Sequence, residues 1–400
     1  MRPANWLAAV GLLLFTSLPL VCGAQEKALD PPAPPLSKQE QQHQADLQRD
    51  IQIGEKAKVE VEKEYKLSKN REYIERVQRV GGQIAAIAKV LRVETLWGDD
   101  RLNTFNYEFR VLEGDDVNAF SLPGGFIYVY EGFMKYVESD DELAGVMAHE
   151  VSHASMRHLA TLEKESQRLQ TVSLPLLLVA ILGGGSSGSD ALVLNQLIGL
   201  AVGSGWSVKA EQAADYGGFQ YIMHSQYNPV GLLTFIERLA RDERSQPARL
   251  VDWGIFRTHP PSRERAEALM GWLRDNHIPI RRSQVTTTFS TKVVPSEGGG
   301  GGVDVQFGGK PLFTFGGDSA LQRADAASAS LNAFFDNVPE LFEVRTMSDG
   351  MIEGQGKFLF RVTAEDAALA KMSVSQLVDD TEQRIKRALY MISFRIWDGR

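Results

Sequence analysis

The chain has 400 residues, 24% of them charged and 43% hydrophobic. These proportions exclude wholesale disorder, a collagen-like repeat and a polytopic membrane protein, and the length suits two domains or one large one. A formal charge of −8 repels phosphate backbones, so no nucleic acid is expected as a partner.

Residues 1–24 read as a secretory signal: a basic start at Arg2, an apolar run from Leu7 to Val21 broken by Pro19, and small residues near Ala24. The run is too short for a membrane span, which needs about 20 apolar residues. Cys22 offers a lipid attachment point, although Val21 before it is larger than a lipoprotein signal prefers. Cleavage after Ala24 removes the only cysteine and with it any disulfide. An exported, periplasmic or cell-envelope location follows. Residues 25–37, with Pro31, Pro32, Pro34 and Pro35, form an extended linker.

From Lys38 the pattern turns helical. Ile51, Ile53, Val59 and Val61 make a weak stripe, and Ile74, Val77, Ile84, Ile87 and Val90 a stronger one, which fits one or two amphipathic helices. Three β-rich segments then follow, Phe105 to Leu112, Val117 to Leu122 and Phe126 to Tyr130, separated by turn residues. They predict a small antiparallel sheet. Helices are expected over Glu131 to Val137 and from the Ser139-Asp140 cap through Ala160 or beyond.

Within 172–202 two apolar halves flank Gly183 to Asp190, each shorter than a bilayer crossing. They fit either a pair of buried or lid-forming helices or a hairpin that dips into a membrane surface. Further helices are read over Lys209 to His224, over Pro229 to Arg244, and from the Thr258 to Ser262 cap to about Asn276. Five glycines at Gly298 to Gly302, after the β-like Val285 to Val294, mark a flexible joint. Beyond it, strands near Pro311 to Phe315, Phe342 to Thr346 and Met351 to Thr363, with helices over Ala320 to Phe335 and Val374 to about Ile392, make an α+β module with no activity assigned. No period of 20 to 50 residues recurs.

The informative stretch is His149-Glu150-Val151-Ser152-His153. Positions i and i+4 of a helix are separated by about 400° of rotation and about 6 Å of rise, so both imidazoles share one face and can close on one metal ion. Neutral imidazole suits zinc, and two such ligands leave room for a third donor and a water. Glu150 sits where its carboxylate can take a proton from that water. Glu211 and Asp215, again four apart, offer a third donor, although such a pair alone is equally a solvated helical face.

His149 to His158, HEVSHASMRH, followed by Glu211 to Asp215 as E-x-x-A-D, resembles the zinc metallopeptidases of the HtpX and CAAX-prenyl-protease type, metallopeptidase family forty-eight. Asn118-Ala119-Phe120-Ser121-Leu122-Pro123-Gly124-Gly125 before this helix and Thr258-His259-Pro260-Pro261 after it agree. The match covers roughly residues 45 to 275, and the exported branch resembling BepA and LoiP fits better than the polytopic one.

The chain is expected to be α+β: a mainly helical zincin-type domain at 38–280, as the resemblance implies, then a linker with the glycine run at 281–302 and an accessory module at 303–400 read from the pattern. The resemblance implies that His149, His153 and Glu211 bind one zinc ion per chain, that Glu150 is the general base, and that Asp215 orients a ligand histidine. Asn118, Ala119, Phe120 and Ser121 become the strand beside the cleft on which an extended peptide pairs through its backbone; an ordinary sheet strand is the other reading. His259 either caps a helix against the core or approaches the zinc. Where relatives commonly carry Gly-Tyr-Ser-Arg this chain has Gly205-Trp206-Ser207-Val208, one charge fewer near the cleft. His43, His158, His224 and His277 have no partner spacing and read as surface or packing residues.

The function implied is a zinc endopeptidase acting on misfolded or unassembled envelope proteins. The alternative is a chaperone or adaptor with a mostly latent protease site. A purely structural zinc site would need a fourth protein donor.

Overall fold

The structure, a computed structural model, describes residues 36–95, 97–168, 206–245, 263–297 and 301–392. The leader, residues 25–35 of the Pro-rich stretch, the apolar pair at 172–202, His259 and Gly298 to Gly300 lie outside the described residues.

Two long helices open the described chain, α1 (Lys38–Glu64) and α2 (Arg71–Ala88). Asn70 caps α2 by accepting the Tyr73 N–H at 3.3 Å, and the stripe Val77, Val80 and Ile84 is buried. Val90, expected on that stripe, falls beyond the helix end and is exposed.

The strands β1 (Glu108–Leu112), β2 (Ala119–Leu122) and β3 (Phe126–Tyr130) form one sheet in the order β1-β3-β2. The β2–β3 hairpin is antiparallel as expected, whereas β1 joins β3 in parallel. Alternation of apolar residues sets which face a side chain takes but carries no information on strand direction. One face packs on Ala57 and Val61 of α1 through Phe120, Leu122 and Tyr128. The other packs through Phe109, Ile127 and Val129 into the main core.

Helix α3 (Glu131–Tyr136) leads to α4 (Asp140–Ser155), which Ser139 caps by accepting the Glu142 N–H at 3.1 Å. Helix α4 is buried over nearly its whole length, so it has no polar face of the usual kind. The expected run through Ala160 breaks at Arg157, whose φ of 53° lies in the left-handed region, and α5 (His158–Arg168) starts in a new direction. Helices α6 (Trp206–Met223) and α7 (Val230–Ser245) pack on α4, and α8 (Arg263–Asp275) covers α6 and α7.

The C-terminal part holds two three-stranded antiparallel sheets: β4 (Thr291–Pro295), β5 (Val303–Phe307) and β6 (Lys310–Phe315), then β7 (Val344–Thr346), β8 (Met351–Gly354) and β9 (Lys357–Arg361). Helices α9 (Ala320–Asp336), α10 (Ala364–Ala370) and α11 (Val374–Met391) pack with them around Phe313, Phe315, Phe334 and Phe360. Residues 291–295, at the end of the β-like stretch Val285 to Val294 inside the expected 281–302 linker, are thus the first strand of this module. Strand β5 and helix α10 were not expected from the sequence; α10 is opened by a capping box between Thr363 and Asp366. The whole is α+β and mainly helical. Among the described residues no helix is long and apolar enough to cross a membrane.

Candidate active site

The two histidines of α4 face one direction, with Nε2 atoms 3.1 Å apart. Helix α6 crosses α4 at close range because Gly217 and Gly218 present no side chain there: a Cβ on Gly218 would lie 3.0 Å from the His149 nitrogen, and one on Gly217 2.8 Å from Ser152 Oγ. Two turns earlier on α6, Glu211 therefore arrives over the histidines. Its Oε2 is 3.3 Å from His149 Nε2 and its Oε1 is 3.3 Å from His153 Nε2.

These separations test whether a metal fits. Zinc bonds of about 2.0–2.2 Å in a tetrahedral site put neighbouring donor atoms about 3.3 Å apart. The three donors, all within 4.8 Å of one another, have the spacing that a shared ion requires. They also carry the right chemistry, two imidazoles and a carboxylate, and among the described residues no fourth donor joins them.

Behind the donors lies a buried ionic frame. Asp215 Oδ1 lies 2.9 Å from His149 Nδ1, which draws a proton to Nδ1 and turns Nε2 towards Glu211 and His153. Arg265 of α8 grips Asp215 with contacts of 2.7 and 2.8 Å and reaches Glu211 Oε2 at 3.1 Å. Burial opposes charge on His149, but Glu211 and Asp215 overcome it and push the imidazole up to about 9. The same negative field favours any cation placed among these groups. Burial also works against ionised Asp215, yet Arg265 and His149 hold it below its ordinary value.

Glu150 is buried on the same helix. It lines a groove with His149 and Arg265 whose wall is apolar: Val146 of α4 and Leu232, Phe235, Ile236 and Leu239 of α7. A carboxylate bordered by apolar side chains and excluded from bulk water is well placed for proton transfer.

Among the described residues β2 pairs only with β3, and it packs beside α4. Asn118, Ala119, Phe120 and Ser121 are all buried. The Tyr130 N–H donates to the Asn118 carbonyl at 3.0 Å, so by alternation Ala119 and Ser121 direct their backbone N–H and C=O away from β3. The Phe120 ring stacks on Tyr128 at 5.2 Å and belongs to the core. His259 lies outside the described residues.

Two residues near the donors escape sequence reasoning. Arg265 carries no motif of its own; only its burial among carboxylates identifies it. His158 was expected at the surface or in packing, but its ring is buried behind His153, with the two Nδ1 atoms 2.9 Å apart. Burial and then the neighbouring His153 push His158 well below the ordinary histidine range.

Residues 87–273 match the model of "Peptidase family M48", and residues 304–391 match a "Domain of unknown function (DUF8459)". The beta-barrel assembly-enhancing protease of Escherichia coli (strain K12) is 32% identical over 163 residues, 38% of this chain and 32% of that protein. The metalloprotease LoiP of the same strain is 30% identical over 171 residues, 42% of this chain and 63% of its own. The mitochondrial metalloendopeptidase OMA1 of Schizosaccharomyces pombe is 27% identical over 177 residues, 44% and 50% of the two chains. The chain spans about a third of the length of the beta-barrel assembly-enhancing proteases it matches. The paired histidines and the glutamate that meets them all fall inside the stretch, residues 87–273, that matches peptidase family M48.

Proposed function

We propose that this chain is a zinc-dependent endopeptidase that hydrolyses peptide bonds of misfolded or unassembled cell-envelope proteins. The observation that carries the reading is the convergence of His149, His153 and Glu211, at 3.1–3.3 Å from one another, beside the buried carboxylate of Glu150. Support for the substrate class comes from the relatives whose names describe beta-barrel assembly, and support for export from the leader-like residues 1–24.

His149, His153 and Glu211 would hold the zinc ion. When bound, zinc acts as a Lewis acid and lowers the pKa of a water in the remaining position. Glu150 would take the proton from a water that adds to the amide carbonyl and pass it to the departing amine as the C–N bond breaks. Asp215 holds His149 in the tautomer that leaves Nε2 bare, and Arg265 keeps Asp215 ionised. An extended substrate pairs with the outward backbone groups of Ala119 and Ser121, which aligns a scissile bond with little demand on side-chain sequence. Asn118 and Phe120 hold this strand in place.

The test is casein cleavage by the purified mature protein, with and without a chelator, beside Glu150→Gln. Cleavage that the chelator stops and zinc restores is expected of the wild type, with zinc bound but no cleavage in the variant. Cleavage by Glu150→Gln at the wild-type rate would remove the assigned base.

A further inference from the structure

We propose that His158 is a positioning residue for the metal ligand His153, set behind it by the left-handed turn at Arg157. The inference rests on the zinc reading and deepens it.

A histidine that ligates through Nε2 must carry its proton on Nδ1, and that proton needs an acceptor. For His149 the acceptor is the Asp215 carboxylate. For His153 the group facing Nδ1 is another imidazole: His158 Nδ1 lies at 2.9 Å, with the two rings nearly perpendicular at 83°. Two ring nitrogens at that distance share one proton. If His153 donates it, His158 accepts on Nδ1 and keeps its own proton on Nε2.

An unbroken helix cannot make this contact, because residues five apart point about 140° away from each other. Arg157 supplies the break, taking a conformation that residues other than glycine adopt rarely. Its guanidinium is held by Asp50 at 2.6 and 3.1 Å and by Asp99 at 2.9 Å. The Asp99 N–H donates to the Met156 carbonyl at 2.7 Å, closing the turn from the other side. Trp97 packs on the His158 ring with centroids 5.1 Å apart, and Gly98 lets the ring lie against the backbone, since a Cβ there would lie 2.8 Å from it. Asp50 of α1 and residues 97–99 before β1 thus hold the turn that sets the His158 imidazole against His153.

The test measures zinc affinity of the full mature chain by competition with a chromogenic chelator. His158→Phe keeps the bulk and loses the acceptor, whereas His158→Asn returns an acceptor at the δ position. His158→Phe is expected to weaken zinc binding by roughly 10–100-fold, the usual effect of losing a ligand's hydrogen-bond partner, and His158→Asn to recover most of it. Equal affinity in wild type and His158→Phe, or equal loss in both variants, overturns the inference while leaving the zinc reading intact; a wild type that binds no zinc overturns both. Nitrogen-15 spectra of the zinc-loaded wild type need no variant. They should show His153 protonated at Nδ1 and His158 at Nε2, and a proton on His158 Nδ1 would refute the proposal.

Discussion

The peptidase region and the C-terminal module keep different things in their interiors. Around α4 the protein buries His149, Glu150, Glu211, Asp215 and Arg265 together, with the pairs Glu142–Arg238 and Glu237–Arg282 close by. The module instead closes over phenylalanines, and its fully buried carboxylate, Asp366, serves the Thr363 cap and an Arg323 contact. Buried ions contribute little net stability once desolvation is counted, while an apolar core of the same volume contributes directly. A concentration of charge inside one half and not the other therefore marks where the chain keeps chemistry.

This contrast can be broken experimentally. Glu150→Gln should lower cleavage by roughly 10²–10⁴-fold, the range of general base catalysis, with little change in folding stability. Active-site titration beside a denaturation curve checks both halves of that statement. His153→Ala should lose metal and cleavage together. Arg265→Met leaves Asp215 and Glu211 buried without their cation, which should cost about 3–5 kcal/mol in the metal-free protein. Added zinc, supplying positive charge to the same carboxylates, should recover part of that loss in urea unfolding; no recovery would separate Arg265 from the donor set. In the module, Phe313→Ala should cost a similar 3–5 kcal/mol through its cavity while leaving zinc affinity at the wild-type value. A loss of zinc affinity in that variant would show the two regions to be one energetic unit.

The same contrast explains what could be read in advance. The polar residues of the site announce themselves by spacing, because a helix converts i and i+4 into one face and only a few chemistries use two histidines there. The shared face of His149 and His153 was legible for that reason, whereas Glu211, in a carboxylate pair that a solvated helix shows equally, entered only through the family resemblance. Arg265 and His158 were not legible, since each meets its partner only after helices have packed or a helix has broken. The break itself needed one residue in the left-handed region, and arginine at 157 gives no local sign of it. Helices α2, α3, α6, α7 and α9 followed from apolar period and caps. Strand direction in the first sheet, and the pairing of the β-like 291–295 with strand β5 across the glycine run, depend on partners that alternation does not encode.

The smallest expected effect lies where the two regions meet. Before α4, Glu138 receives the hydroxyls of Thr286, Thr287 and Thr288 and the Thr288 N–H, and Arg238 of α7 lies 3.1 Å from it. Next to these threonines Ser283 donates to Asp336 at the end of α9, and Arg282 pairs with Glu237 of α7, so residues 282–288 fasten the module to the helix that walls the Glu150 groove. Burial works against a charged Glu138, but Arg238 and the threonine donors hold its carboxyl at about 2, against an ordinary 4.5. A carboxyl whose folded value is depressed stabilises the protein fully above its unfolded value and loses that contribution as pH falls towards the folded one. The stability gap between wild type and Glu138→Gln should therefore be roughly 2–3 kcal/mol above pH 5 and should close between about pH 4.5 and 2. Glu142 also meets Arg238, so the difference between the two proteins is the quantity to follow by urea unfolding at each pH. A gap independent of pH over that window would mean that the threonines hold the uncharged side chain equally well, and that the junction joins the regions by shape rather than by charge.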